Sequence, residues 1–181
     1  MHESDGYEKE IREILDVVRD FEEKFHKKIP VIFGGGIFDR KDIEHYLSLG
    51  LSGVQMATRF VATKECDASE AFKNMYVKAK AKDVTIVQSP VHMPGRALLN
   101  PFVCAVRNRR MPVTNCFHCL KTCDPSTTPY CITQALIRAV KGDVDHGLIF
   151  CGANAWKINK ITTVHDLMQE LTEGPLPQNN G

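Results

Sequence analysis

A glycine turn, a second short turn and one cluster of thiols are the parts of this sequence whose residue types and spacing could do chemistry. Gly34-Gly35-Gly36 directly follows the apolar run Ile29-Pro30-Val31-Ile32-Phe33 and precedes a helical pattern. Glycine at such a turn lets backbone N–H groups approach an anion with no Cβ in the way. Gln55-Met56-Ala57-Thr58 closes a second short run and adds further N–H groups and a hydroxyl. Together the two turns suit a phosphate, although a glycine triplet serves equally well as a plain strand-to-helix turn. The spacing is not the G-x-G-x-x-G of a dinucleotide site. The thiols run Cys116-x2-Cys119-x3-Cys123-x7-Cys131 with His118 among them. Four thiolates suit zinc or an iron–sulfur cluster. The spacing is not that of a paired C-x2-C zinc ribbon, and reduced thiols packed in a loop are the alternative.

Other polar residues carry weaker signals. Arg96, in Pro94-Gly95-Arg96-Ala97, could face a phosphate or pair with a carboxylate. His45 and His165 fall on helical patterns among polar neighbours, where solvated histidines are expected. Arg107-Asn108-Arg109-Arg110 reads as a solvated basic loop, since no aromatic residues are interleaved with it.

The elements that must position these residues can be read from periodicity. Residues 7–27 form an amphipathic helix with Ile11, Ile14, Leu15, Val18, Phe21 and Phe25 on its apolar side, capped by Ser4 or Asp5. Ile29–Phe33 is a strand of the doubly buried, parallel type, with Pro30 near its start. Asp39 caps a helix to about Leu49 that Gly50 stops, and Gly53–Met56 is the next strand. Strand, helix and strand in that order make a βαβ unit. A further helix is expected from Asp67, with Glu70 at capping-box spacing and Phe72, Met75, Tyr76 and Ala79 buried. Val84–Val87 reads as a strand and Ser89–Pro112 mostly as loop. Thr128-Pro129 opens another helix with Ile132, Ala135, Leu136, Ala139 and Val140 inward, stopped by Gly142. A last helix runs from a Thr163 cap to Leu171, before the tail Gly174–Gly181. Two phosphate-facing turns following successive strands match the loops after the seventh and eighth strands of a (β/α)₈ barrel.

Composition bounds the answer. The chain has 181 residues, 43% apolar and 25% charged, with a formal net charge of +1. That is globular composition with no basic footprint for nucleic acid. No apolar run is long enough for a membrane helix, and the polar, acidic N-terminus is unlike a secretory signal. A cytoplasmic protein with reduced cysteines is expected.

At this point the sequence becomes familiar. IPVIFGGGIFDRKDIEHYLSLGLSGVQMATRFVATKECDAS resembles the C-terminal half of the nitronate monooxygenases, formerly 2-nitropropane dioxygenases, whose pattern is IPVI-x-x-GGI, a helix, then GVQMGTRF-x-x-T-x-E. SPVHMPGRALLNPF resembles that family's S-x-x-x-x-PGRA-x-x-N segment. CLKTCDPSTTPYCITQALIRAVKGDVDHGLIFCGANAWKINKI is similar to the C-terminal extension of clostridial-type members. The resemblance implies an α/β fold: the C-terminal part of a (β/α)₈ TIM barrel, its last two strands and helices, in residues 1–88. A mostly helical or irregular, Cys-rich extension would occupy residues 89–181 and pack on the barrel.

The resemblance also implies FMN as cofactor. Gly34, Gly35 and Gly36 would meet its phosphate, with Gln55, Met56, Ala57 and Thr58 as the second phosphate loop. Ala57 stands where the family has glycine. His92 falls in the family-like loop and could approach the flavin. The implied reaction oxidises alkyl nitronates or nitroalkanes with O₂ to a carbonyl compound and nitrite. The family's catalytic histidine sits in a G-G-H turn that has no counterpart here. His2 lacks the preceding glycines, so no catalytic residue is assigned. With that half absent, the chain is expected to form a homo-oligomer or to need its missing N-terminal half. No nucleic-acid or membrane partner is expected. A flavin-dependent enoyl-acyl-carrier-protein reductase shares these phosphate loops and is the alternative enzyme. An inactive remnant or a metal-binding interaction module is the alternative of another class.

Overall fold

The structure is a computed structural model that describes residues 7–119, 121 and 123–173. His2, the Ser4 or Asp5 cap and the Gly174–Gly181 tail lie outside the described residues. The chain divides into two compact units. One runs up to Ala57 and takes in the residues from Val164; the other is Thr58–Thr163.

The first unit holds helix α1 (Glu8–Phe25), strand β1 (Ile32–Gly34), helix α2 (Arg40–Ser48), strand β2 (Gly53–Gln55) and the C-terminal helix, Val164–Glu173. β1 and β2 pair in parallel, with Ile32 opposite Gly53, Phe33 opposite Val54 and Gly34 opposite Gln55. The expected βαβ unit is therefore present. Ile11, Tyr46 and Leu51 are buried at its centre, with Leu15, Val31, Phe33 and Val54 packed around them. The Phe33 and Tyr46 rings stack with centroids 4.2 Å apart.

Three expectations for this unit change. β1 begins at Ile32 rather than Ile29, because the Ile29 N–H is bonded to the Glu22 carboxylate at 2.7 Å and Pro30 has no N–H to offer a ladder. β1 is also not buried on both faces: Ile32 is 63% exposed. Among the described residues each strand of the pair has a single ladder partner. On α1, Ile11 is buried and Leu15 and Val18 partly so, whereas Ile14, Phe21 and Phe25 are exposed. With Val17 they form a second apolar stripe, since positions three and four apart share a helix face.

The second unit contains helix α3 (Thr58–Val61), helix α4 (Glu70–Lys78), strands β3 (Val84–Gln88) and β4 (Pro94–Leu98), helix α5 (Pro101–Asn108) and helix α6 (Ile132–Val140). The helix Val164–Glu173 of the first unit is accordingly α7. β3 and β4 form an antiparallel hairpin with Val84 opposite Leu98 and Gln88 opposite Pro94. Ile149–Cys151 runs along the other side of β4: Leu98 N–H donates to Ile149 O and Cys151 N–H to Arg96 O, both at 2.9 Å. The core gathers Val87, Ala97, Phe102, Val103, Tyr130, Ala135 and Leu148.

Much of Ser89–Pro112 is thus ordered structure, not loop. Proline and glycine mask β4 in the sequence, but Pro94 sits at the strand's first position, where its missing N–H costs little. Asn100 caps α5 and Pro101 follows in the first turn. The same proline rule places a helix start at Pro129, and there it fails. The Pro129 carbonyl accepts from Met111 N–H at 2.7 Å, residues 128–130 form a bend, and α6 starts at Ile132. Val140 is exposed, while Ala135 and Ala139 are buried. α4 starts after Ser69, whose hydroxyl accepts from Phe72 N–H at 3.3 Å, and not at Asp67. The region after residue 88 is therefore not only helical and irregular, since β4 belongs to it. Among the described residues no helix is long and apolar enough to cross a membrane.

Candidate functional site

Parallel pairing brings the C-terminal ends of β1 and β2 side by side, and with them the Gly34–Gly36 turn and the start of the Gln55-Met56-Ala57 turn. Gly34 lies opposite Gln55, and a Cβ on Gly34 would stand 2.8 Å from Gln55 Oε1. A side chain at this position would have to displace the exposed end of Gln55. Gly35 and Gly36 have φ of +129° and +71°, in the left-handed half of backbone space where L side chains are strained. The place a Cβ would occupy at either of them has no atom within 4 Å. These two residues form a turn with open space on the side where a Cβ would project.

The α2 N-terminus contributes less than its position suggests. Asp39 Oδ1 accepts from Asp42 N–H at 3.1 Å, and Asp42 Oδ2 accepts from Phe38 N–H at 2.7 Å and Asp39 N–H at 3.3 Å. This reciprocal cap confirms Asp39 as the helix start and occupies those amides with carboxylates. Met56 is half-buried and Ala57 exposed directly after β2.

Thr58 opens the second unit and has surroundings of its own. Its Oγ1 accepts from Gly152 N–H at 2.8 Å. The residues that follow it are fastened by Lys73, which is 3% exposed; its ammonium donates to Cys66 O at 3.2 Å and Thr63 O at 3.4 Å and pairs with Glu70 at 2.6 Å. Neither Gly152 nor Lys73 was picked out from sequence. The only available signals were a glycine in GLIFCGAN and a lysine on the apolar side of α4.

Among the described residues the thiol cluster gives no support to a zinc or iron–sulfur centre. Cys116, Cys119, Cys123 and Cys131 all line one pocket of about 260 Å³ with Phe117 and His118. Yet among the described residues no three or more His, Cys, Asp or Glu side chains are arranged to hold a metal ion. The thiols are spread around the wall and engaged locally. Cys119 Sγ accepts from Thr133 Oγ1 at 3.0 Å, Cys116 Sγ accepts from His118 N–H at 3.4 Å, and Cys131 precedes α6 as its cap residue. Their close spacing in sequence reflects a pocket lining.

The remaining candidates separate into structural and exposed. Asn100 is a junction: Oδ1 accepts from Val103 N–H at 2.8 Å, and Nδ2 donates to Val144 O and Gly147 O at 2.7 and 2.8 Å. Arg96 lies on β4 opposite Ile86. The basic run is not merely solvated, since Arg107 bonds the Thr85 hydroxyl and Arg110 donates to Pro125 O at 2.6 Å and Thr128 O at 3.0 Å. His92 is exposed at the hairpin tip with φ +63°, and His45 lies 3.4 Å from Glu8. Cys151 is the perturbed thiol: burial pushes it up to about 11 against the opposing pull of Arg96.

The fold is thus an α/β one whose βαβ unit sets a glycine turn beside the end of the neighbouring parallel strand. Residues 2–174 match the sequence model of the family described as nitronate monooxygenase, and the chain belongs to that family. It is 33% identical over 75 residues to a probable nitronate monooxygenase of Staphylococcus saprophyticus, covering 41% of this chain and 21% of that one. FabK from Thermotoga maritima superposes with a TM-score of 0.61 at 29% identity, over 81% of this chain and 45% of that one. Nitroalkane oxidase from Streptomyces ansochromogenes gives 0.57 at 21% identity, over 83% and 42%. The chain thus spans less than half the length of each of these proteins. The family is one of oxidoreductases, and enzyme ancestry is established on that ground.

Proposed function

We propose that this chain contributes the phosphate-anchoring part of an FMN-dependent nitronate monooxygenase, which converts an alkyl nitronate and O₂ to a carbonyl compound and nitrite. The observation that carries the reading is the open turn at Gly35 and Gly36, next to the end of β2. Gly34, Gly35 and Gly36 would receive the phosphate through backbone N–H groups, and Gln55, Met56, Ala57 and Thr58 would form its second loop. FMN, when bound, supplies the redox chemistry, and the protein supplies binding, orientation and exclusion of water. Ala57 adds a methyl group where the family has glycine, which would weaken its amide's contact with the phosphate. No residue here is given the role of proton acceptor from the substrate. Residues 1–88 would be the barrel part, the last two strands and helices of a (β/α)₈ barrel, and residues 89–181 the family extension. The compact units cut the chain elsewhere because β3 pairs with β4 across that boundary and α7 belongs with the first unit. The protein would act in the cytoplasm.

The exposed stripe on α1 and the singly paired strands support one further element of the reading. The chain would act as a homo-oligomer or with a complementing barrel portion.

The test is a visible spectrum of the protein purified without oxygen, followed by nitrite release from an alkyl nitronate. Flavin bands with FMN released on denaturation, together with nitrite, support the proposal. FMN that is reduced by NAD(P)H without nitrite production would instead assign an enoyl-reductase type. A colourless protein that takes up no added FMN overturns the cofactor assignment and leaves an inactive remnant.

A further inference from the structure

We propose that Cys119 and Cys131 form a redox-active thiol pair in the cysteine-lined pocket, oxidised to a disulfide by exchange with a small anionic disulfide of the oxidised-glutathione class. The pocket lies wholly within the second unit, and the assignment does not depend on the FMN reading.

Hydrogen bonding brings the two residues to one end of one helix. Thr133 Oγ1 donates to Cys119 Sγ at 3.0 Å, across 14 positions of sequence, which seats that sulfur on the first turn of α6. Cys131 is the residue before that helix and makes no side-chain capping bond that would hold its own sulfur. Both line the pocket. The chain leading to Cys131 is fixed, since Arg110 donates to Pro125 O and Thr128 O and Met111 N–H donates to Pro129 O. Holding a metal takes three or more converging donors, which the described residues do not supply. A disulfide needs only two sulfurs whose Cα atoms lie within about 7 Å.

Exposure divides the roles. Of the four pocket cysteines Cys119 is exposed and the other three are partly buried, so Cys119 meets an incoming disulfide first. Cys116 is turned back on its own loop, with Sγ accepting from His118 N–H at 3.4 Å. Lys121 lines the pocket and no carboxylate does among the described lining residues, which suits a reagent that carries carboxylates.

The chemistry is two exchanges. The Cys119 thiolate attacks one sulfur of the reagent, breaks its S–S bond and expels one thiolate. The Cys131 thiolate then attacks the Cys119 sulfur of the mixed disulfide, forms the Cys119–Cys131 bond and expels the second thiolate. The two cysteine protons end on the two released thiols. The protein is oxidised by two electrons and the reagent is reduced by two.

The test incubates the whole chain, reduced and then freed of reductant, with oxidised glutathione and maps the unreduced peptides by mass spectrometry. The main wild-type product should join Cys119 to Cys131 with loss of two hydrogens. Cys131→Ser should stop at a glutathione adduct on Cys119, and Cys119→Ser should abolish the bond. In urea the preference should disappear, because loop closure in an unfolded chain favours the nearer Cys116 and Cys123. Four results would each overturn the pair: a main bond from Cys119 to Cys116 or Cys123 in the folded protein, a lasting Cys119 adduct in wild type, an unreactive Cys119, or an equal share of Cys119–Cys131 in urea. Should a serine variant fail to fold, the wild-type map and its urea control decide.

Discussion

The side chain of Gln55 lies across Gly34, with Oε1 2.8 Å from where a Gly34 Cβ would be. The two residues are paired in the parallel register of β1 and β2. The glycines of one triplet consequently have different jobs. Gly34 makes room for a neighbouring side chain, while Gly35 and Gly36 supply a conformation and an open approach.

That difference separates two substitutions. Gly35→Val places a branched side chain in open space at φ +129°, so strain of about 1–3 kcal/mol is expected with no clash. FMN content should fall to near zero while the melting temperature drops only modestly. Gly34→Ala should instead displace only the exposed end of the Gln55 side chain, with little change in urea titration. Unchanged flavin content in Gly35→Val would remove the glycine turn from the phosphate site.

Asn100 should be intolerant of change for structural reasons. It caps α5 and holds the Val144 and Gly147 carbonyls with one buried amide group. Asn100→Ala removes the cap and strands two carbonyls, so a loss of about 2–4 kcal/mol is expected in urea unfolding. Asn100→Asp keeps the capping oxygen but sets a carboxylate against both carbonyls, and should be at least as damaging. A loss below about 1 kcal/mol in both would show that the junction is dispensable.

Lys73 is the buried cation whose ammonium gathers the carbonyls after α3. Lys73→Met preserves the aliphatic stem and removes only the charged donors. The expected result is a loss of about 1–3 kcal/mol, with amide exchange rising over residues 62–66 before the rest of the unit. Uniform acceleration of exchange throughout the unit would contradict a local role.

Cys151 gives stability a pH dependence with a definite sign. Burial raises its thiol from 9.0 to about 11, so the folded protein keeps the proton after the unfolded chain has lost it. Its contribution is complete below about pH 8 and declines as pH rises toward 11. The urea midpoint should fall over that interval, and Cys151→Ala should flatten the fall. Cys151 should also react more slowly with a thiol alkylating agent at neutral pH than exposed Cys104 or Cys119.

The second apolar stripe on α1 predicts association. Phe21 and Phe25 stack with centroids 6.0 Å apart and are 49% and 55% exposed. Phe21→Lys should lower the sedimentation coefficient of a self-associated chain toward that of a monomer. An unchanged monomeric value in wild type and variant would assign no contact to this face.

What could be read from the sequence was what local chemistry encodes. The GGG turn after a β-branched run, the Asp39 cap, the Gly50 and Gly142 stops and the βαβ order follow from glycine conformation, capping and periodicity, which act within a few residues. The family blocks were legible for the same reason, as ordered strings of such signals. Tertiary structure decided everything that depends on partners distant in the chain. β4 is hidden behind proline and glycine until residues 149–151 pair along it. The N-terminus of α6 moved to Ile132 because Met111 takes up the Pro129 carbonyl. Four cysteines at suggestive spacing line one pocket, yet among the described residues no three such side chains are arranged to hold a metal ion, since sequence spacing sets reach but not where the sulfur atoms point. Gly152 meets Thr58 across 94 residues. No local pattern marks such a contact, because it exists only once two separately folded segments have been packed together.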